Sequence, residues 1–194
     1  MAAKIPKVLL LGHSFIRRLK CDLQKGFDSR ASRDFKLRGT AEVHLHGIGG
    51  LTVDRLRRLD LQLFKTLAPE VIILELGTND LSSLPPEVVG SAIEDLVNFI
   101  LKSFHVQVVG VCLVIPRASY HLHSTQFAHC AEILNKYLEV VLEPIPNVFC
   151  WCHRAFKDSC KPFYLPDGVH VNPAGQYQLY RSYRGAILKA TSFL

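Results

Sequence analysis

Four short blocks in the chain carry the residue types that acyl transfer requires. Gly12-His13-Ser14 follows the apolar run Lys7–Leu11 and precedes a helical pattern. A buried strand that turns through glycine into a helix delivers one hydroxyl beside the first N–H groups of that helix, which have no partner within it. Ser14 is therefore a candidate nucleophile, placed where attack on a carbonyl creates an oxyanion beside donors. Near the other end, Asp167-Gly168-Val169-His170 sets a carboxylate and an imidazole three residues apart on a turn. Asp167 can accept from one ring nitrogen, fix the tautomer, and leave the other nitrogen of His170 to act as general base. Gly47-Ile48-Gly49-Gly50 and Gly77-Thr78-Asn79-Asp80 each close an apolar run. Together with the Ser14 amide, the Gly50 N–H and the Asn79 carboxamide can form a three-donor oxyanion hole. Each block alone has a plainer reading, since Pro166-Asp167-Gly168 is ordinary turn chemistry and Asn79 an ordinary cap. Four of them, each at the end of an element, point to a reaction.

The elements that must position these residues alternate between two patterns. Val8–Leu11, Glu42–His46, Val71–Leu76, Val106–Ile115 and Asn147–Cys152 read as strands. Between them, four segments keep a helical period. The first carries Ile16, Leu19, Leu23 and Phe27, and the second Val53, Leu56, Leu63, Phe64 and Leu67. The third carries Val89, Ile93, Leu96, Ile100 and Phe104, and the fourth Phe127, Leu134, Leu138 and Val141. A last helix, with Asn172 as N-cap and Pro173 in first position, carries Tyr177, Tyr180, Ile187 and Ala190. Apolar strands alternating with amphipathic helices predict an α/β fold, a five-stranded parallel sheet covered on both faces. Ligands bind such sheets beyond the carboxyl ends of the strands, where Ser14, Gly50 and Asn79 all fall. The 194 residues, 48% of them hydrophobic, predict a single domain over 1–194.

In order and content the blocks resemble those of the SGNH (GDSL-type) hydrolases, over essentially the whole chain. Gly12-His13-Ser14 is similar to the first block, Gly-Asp-Ser. Gly47-Ile48-Gly49-Gly50 is similar to the second, with Gly50 aligned to the oxyanion glycine. Gly77-Thr78-Asn79-Asp80 is similar to the third and Asp167–His170 to the Asp-x-x-His block. The resemblance implies a three-layer α/β/α flavodoxin-like fold. It also implies ester hydrolysis by Ser14, His170 and Asp167 with Ser14, Gly50 and Asn79 as oxyanion donors, and no metal or organic cofactor. His13 stands where the family usually has Asp; the position flanks the nucleophile, so the departure bears on substrate orientation rather than on activity. Ser14 also lacks the Gly-x-Ser-x-Gly frame of the α/β-hydrolase elbow. Leu10–Phe15, Leu76–Leu81 and Asp167–His170 further resemble the esterase domain of first-open-reading-frame proteins of vertebrate non-LTR retrotransposons. Gly47–Gly50 also resembles platelet-activating-factor acetylhydrolase subunits. These narrower resemblances imply acetyl-ester or lipid-ester substrates, a place within a longer ribonucleoprotein component, and contact with a membrane.

Charge and cysteine usage frame the partners. The net charge is +6, and residues 1–40 alone hold ten Lys/Arg against three Asp/Glu. The basic segment 17–38 reads first as a solvated face and second as a surface for an anionic membrane or RNA. The second reading carries the rival hypothesis, a lipid- or nucleic-acid-binding module with an esterase-like fold. The six cysteines lack the spacing of a disulfide framework, and no apolar segment precedes the first strand. The expectation is a reduced, cytoplasmic compartment, without secretion and with membrane association compatible. A homodimer is compatible as well. His121, His123 and His129 match no zinc spacing, and Cys150, Cys152 and Cys160 form no Cys-x-x-Cys, so neither cluster is assigned a metal. Leu81, Leu84, Pro116, Tyr120 and Leu122 are candidates for an apolar rim around the pocket.

Overall fold

Side chains of the central strands alternate between two apolar faces, which forces helices onto both. The computed structural model describes residues 4–58, 62–118, 123–157 and 161–194. Five parallel strands, β1 (Lys7–Gly12), β2 (Glu42–Gly47), β3 (Val71–Glu75), β4 (Val108–Cys112) and β5 (Val148–Trp151), lie in the order β2-β1-β3-β4-β5. On one face Leu9, Leu11, Ile72, Leu74, Val109 and Val111 pack under α2 (Val53–Arg58), α3 (Gln62–Leu67), α4 (Pro86–Ser103) and α5 (His123–Leu142). On the other, Val8, Leu10, Val71, Ile73 and Val108 pack under α1 (Ser14–Lys25) and α6 (Pro173–Thr191). This is the covered parallel sheet that the strand and helix patterns predict, in the three-layer arrangement that the family resemblance implies.

Several boundaries differ from the sequence reading, each for a local reason. The first helix stops at Gly26, so Phe27 lies beyond it, half-buried against the same core. The second apolar stripe forms two short helices, α2 and α3, and not one. The fourth strand keeps only Val108–Cys112 of the longer run, because Leu113–Ile115 leave the sheet while remaining buried. Asn172 caps α6 as read, accepting from the Gly175 N–H at 2.9 Å, with Pro173 next. No helix among the described residues is long and apolar enough to cross a membrane.

The register sets the geometry of the carboxyl end. Gly12 pairs with Gly47 on one side and with Glu75 on the other. A side chain at Gly47 would put its Cβ 2.1 Å from the Arg17 backbone nitrogen and 2.5 Å from the Arg17 Cα. The last residue of β2 thus lies directly against the first turn of α1, the turn that holds Ser14. Gly47→Ala must push that turn away or break the β1–β2 ladder. Overpacking against rigid backbone costs about 1–3 kcal/mol, and a drop in unfolding free energy of at least that size is expected in urea titration. An unchanged midpoint would show that the turn is free to move.

Candidate active site

Three adjacent strands end together, and the segments that follow them are tied to one another. Ser14, partly exposed, is the first residue of α1, where its N–H has no helical acceptor. His13 caps the helix through its side chain, Nδ1 accepting from the Phe15 N–H at 3.4 Å. The Gly12 carbonyl accepts from the Ile48 N–H at 2.9 Å, which joins the end of β1 to the start of the glycine block. Gly50 is exposed in a left-handed conformation (φ 64°) that glycine adopts without strain. Among the described residues nothing accepts from its N–H. Asn79 donates from Nδ2 to the Leu51 carbonyl at 2.8 Å, which fixes its carboxamide and leaves the second amide hydrogen free. Buried Asp80 adds a second tie, Oδ1 accepting from the Val53 N–H at 2.9 Å. Two bonds therefore hold the segment after β3 to the segment after β2, across the end of β1 that bears Ser14.

The Asp-His block is held over the neighbouring end of β4. Asp167 Oδ1 accepts from the N–H groups of Val169 (2.9 Å) and His170 (2.8 Å), while Oδ2 meets His170 Nδ1 at 2.7 Å. Partial burial works against the charged form, yet the His170 N–H, the His170 ring and the Val169 N–H outweigh it and bring the Asp167 pKa to about 2. A single carboxylate takes two backbone bonds that fix the turn and one ring bond that orients the imidazole, whose Nε2 is left for another partner. The Ala118 N–H donates to the Gly168 carbonyl at 2.8 Å, and the Tyr164 hydroxyl bonds to the Pro116 carbonyl, so the loop is fastened to the chain leaving β4. No hydrogen bond joins Ser14 to His170 among the described residues; catalytic bonds of this kind often close only when substrate binds.

Beneath Ser14 lies a polar cluster that the sequence reading missed. Glu75, the last residue of β3, is fully buried on the α1/α6 face. Its Oε2 accepts from Tyr183 Oη at 2.8 Å and meets His153 Nε2 at 2.9 Å. Its Oε1 faces His13 Nε2 at 3.6 Å, and its backbone carbonyl accepts from the His13 N–H at 3.2 Å. His153 Nδ1 in turn meets Ser182 Oγ at 2.8 Å, which also accepts from Trp151 Nε1 at 2.9 Å. Burial opposes ionisation of Glu75, but His153 and then His13 overcome it and hold its pKa far below the usual carboxylate range. Burial raises the pKa of the neighbouring Cys112 thiol and of the Tyr183 hydroxyl, and the Glu75 charge raises both further. Glu75, Cys112 and His153 bring their ligand atoms within 4.8 Å of one another, a spacing that a metal ion can use. The carboxylate is already engaged by His153 and Tyr183, and the group reads as a hydrogen-bond network. The available signal was a lone carboxylate in the otherwise apolar run Val71–Leu76.

Residues 10–178 match the sequence profile of the GDSL-like lipase/acylhydrolase family. The chain belongs to that family. Solved structures agree on the fold. A GDSL-like lipase from Bacteroides thetaiotaomicron superposes with a TM-score of 0.70 at 20% identity, covering 95% of this chain and 89% of its own. A carbohydrate esterase family 3 protein from Talaromyces cellulolyticus gives 0.70 at 16%, covering 98% and 100%. A catalytic mutant of an acetylxylan esterase from Geobacillus stearothermophilus gives 0.68 at 16%, covering 96% of each chain. No curated protein matches the sequence.

The remaining sequence candidates fall around this acylhydrolase frame. Leu81 is buried and Leu84 exposed beyond Asn79, with Pro116 half-buried opposite; Tyr120, His121, Leu122 and Cys160 lie outside the described residues. His129 is exposed on α5. Cys150 is half-buried in β5, Cys152 lies just past its end and is exposed, and both are free thiols. In the basic segment, Arg17 and Lys20 are exposed on α1, while Arg30 is paired with Asp28 and lies over the Tyr177 ring.

Glu75→Ala would leave His153 and Tyr183 buried against a void. Removing one partner of a buried ion pair costs about 3–5 kcal/mol, and a loss of that order is expected in denaturant unfolding. Because the folded Glu75 pKa is depressed, its contribution is present above the unfolded pKa of about 4.3. It disappears as pH falls further into acid, so the gap between wild type and Glu75→Ala should narrow there. A constant gap down to the acid transition would place the stabilisation in packing alone.

Proposed function

We propose that this acylhydrolase is a serine esterase acting on acetyl or other short-chain esters, with Ser14 as nucleophile. The observation that carries the reading is the Asp167–His170 pair, 2.7 Å apart and further fixed by two backbone bonds. An imidazole oriented by an ionised carboxylate, with Nε2 unclaimed, is what a serine nucleophile needs as its base. In this reading His170 Nε2 takes the Ser14 Oγ proton as Oγ bonds to the ester carbonyl carbon. The carbonyl electron pair moves to oxygen and is stabilised by the Ser14 and Gly50 N–H groups and the free Asn79 amide hydrogen. The tetrahedral centre then expels the alcohol, which receives the proton from His170. Water, deprotonated by His170, releases the acid and restores Ser14.

The preference for short acyl groups draws on the acetylxylan esterase and the carbohydrate esterase to which the fold is similar. Lipid esters and a place in a retrotransposon ribonucleoprotein draw only on the phrases Leu10–Phe15, Leu76–Leu81 and Asp167–His170. A binding module without turnover has no need of the Asp167 cradle around His170.

Nitrophenyl esters of increasing acyl length, hydrolysed by wild type and by Ser14→Ala, test the reading. Serine-dependent turnover highest on acetyl and butyryl esters is expected; none on any ester would sink it. Asn79→Ala should lower kcat by on the order of 10² to 10³ with a smaller change in KM. Its loss would also free the Leu51 carbonyl, so stability is measured alongside. Asp167 keeps its charge until pH approaches about 2. The acid limb of the kcat/KM profile therefore belongs to proton uptake by the base, and should shift or vanish in His170→Ala.

A further inference from the structure

Arg117 is a strongly basic group built into the frame of the site that the mechanism above does not use. It follows Pro116 where the chain leaves β4. Its Nη2 donates to the Thr78 carbonyl at 3.1 Å and to Ser82 Oγ at 3.0 Å, on either side of Asn79 and Asp80. The next residue, Ala118, donates its N–H to the carbonyl of Gly168, which adjoins Asp167. Arg117 therefore stands between the segment that carries the candidate oxyanion donor and the segment that carries the candidate base.

Its charge is not matched. Both acceptors are neutral, and no carboxylate forms an ion pair with it among the described residues. One face of the guanidinium lies 4.0 Å from the centroid of the Phe127 ring. Nε is wholly buried and has no hydrogen-bond partner. Burial pushes the guanidinium pKa down from its ordinary value. A buried charged donor with no acceptor is costly to keep. Leu81, Ser82, Arg117, Gln126, Phe127 and Cys130 line a cavity of about 260 Å³. Arg117 and Phe127 both contribute to its lining, and the volume suits a small acid rather than a long acyl chain.

We propose that Arg117 selects ester substrates that carry an anionic oxygen group, a carboxylate or a phosphate, near the scissile bond. Nη1, which no bond claims among the described residues, donates to an oxygen of such a group, while the two Nη2 bonds and the Phe127 ring hold the guanidinium still. The assignment rests on the esterase reading and narrows its substrate class. The anion can sit on the acyl part or on the alcohol part of the ester.

Matched pairs of substrates test this. The succinate half-ester of para-nitrophenol against para-nitrophenyl butyrate places the anion on the acyl side. The acetyl ester of para-hydroxybenzoate against that of its methyl ester places it on the alcohol side. In each pair the neutral ester normalises for any general loss of activity. Arg117→Met keeps a stem against Phe127 and removes the charge. It should lower the anionic-to-neutral ratio of kcat/KM by about 10- to 100-fold in one pair, the range of a charge-assisted hydrogen bond. Arg117→Lys should keep part of that ratio. The pair that responds identifies the side of the ester that carries the anion. Should Arg117→Met not fold, Arg117→Gln, which retains a donor for the Thr78 carbonyl, takes its place with the same expected fall. Ratios unchanged in both pairs, with Ser14-dependent turnover intact, overturn the inference alone and leave Arg117 as a structural bracket. Absence of Ser14-dependent turnover on every ester overturns the esterase reading and this inference with it.

Discussion

A carboxylate removed entirely from water must be met by donors, or its desolvation would exceed the few kcal/mol that hold a domain together. Glu75 is such a group, and each of its donors comes from a different element. Tyr183 reaches its Oε2 from α6 and His153 from the chain after β5, while His13, at the cap of α1, faces Oε1 at 3.6 Å without a hydrogen bond and donates its backbone N–H to the Glu75 carbonyl. One residue thus ties α1, through its carbonyl, and α6, through its carboxylate, to the same face of the sheet. The consequence reaches both halves of the candidate site. Ser14 opens α1, one residue past His13, and His170 stands two residues before the cap of α6. The candidate nucleophile and base, 156 positions apart in the chain, are referred to a common origin beneath them. Apolar packing alone would tolerate a slide of either helix; a buried charge with directional bonds tolerates far less.

Strand order supplies the rest. With β1 between β2 and β3, the segment bearing Ser14 emerges flanked by the segments bearing Gly50 and Asn79. Neither flank is rigid in its own right, since one is a glycine block and the other a single turn of 3-10 helix at Asp80–Ser82. The Asn79–Leu51 and Asp80–Val53 bonds hold each against the other. Because Val53 opens α2, the Asp80 bond is cap and cross-link at once. The site is preorganised by bonds between loops, which suits a reaction whose charge appears only in the transition state.

How much of this the sequence disclosed follows from the range of the interactions. Strands apolar on both faces announce a covered parallel sheet, because composition within five or six residues carries that signal. The Asp167–His170 couple was equally legible, since its bonds all span three residues or fewer. Glu75 was not, because its partners lie 78 and 108 residues away and a count of apolar neighbours passes over it. Arg117 escaped for the same reason, being bonded 35 and 39 residues back. The glycine block was read for its donor at Gly50. The tightest approach is instead at Gly47, where the obstacle is the backbone of α1 and no local pattern reveals it.

The histidine at position 13 takes on a different meaning in this setting. Beside a nucleophile, a departure from the family's Asp suggests an altered surface toward substrate. His13 is only 1% exposed, however, and both ring nitrogens are turned inward. Nδ1 accepts from the start of α1, which places the ring proton on Nε2, facing Glu75 Oε1 at 3.6 Å. A carboxylate at position 13 could also accept from the helix N-terminus, but it would then stand against a second buried carboxylate, and two such charges do not both ionise at close range. An imidazole supplies the acceptor that the helix start requires and sets no second carboxylate against the buried Glu75. The identity of residue 13 is therefore answered by residue 75, inside the protein.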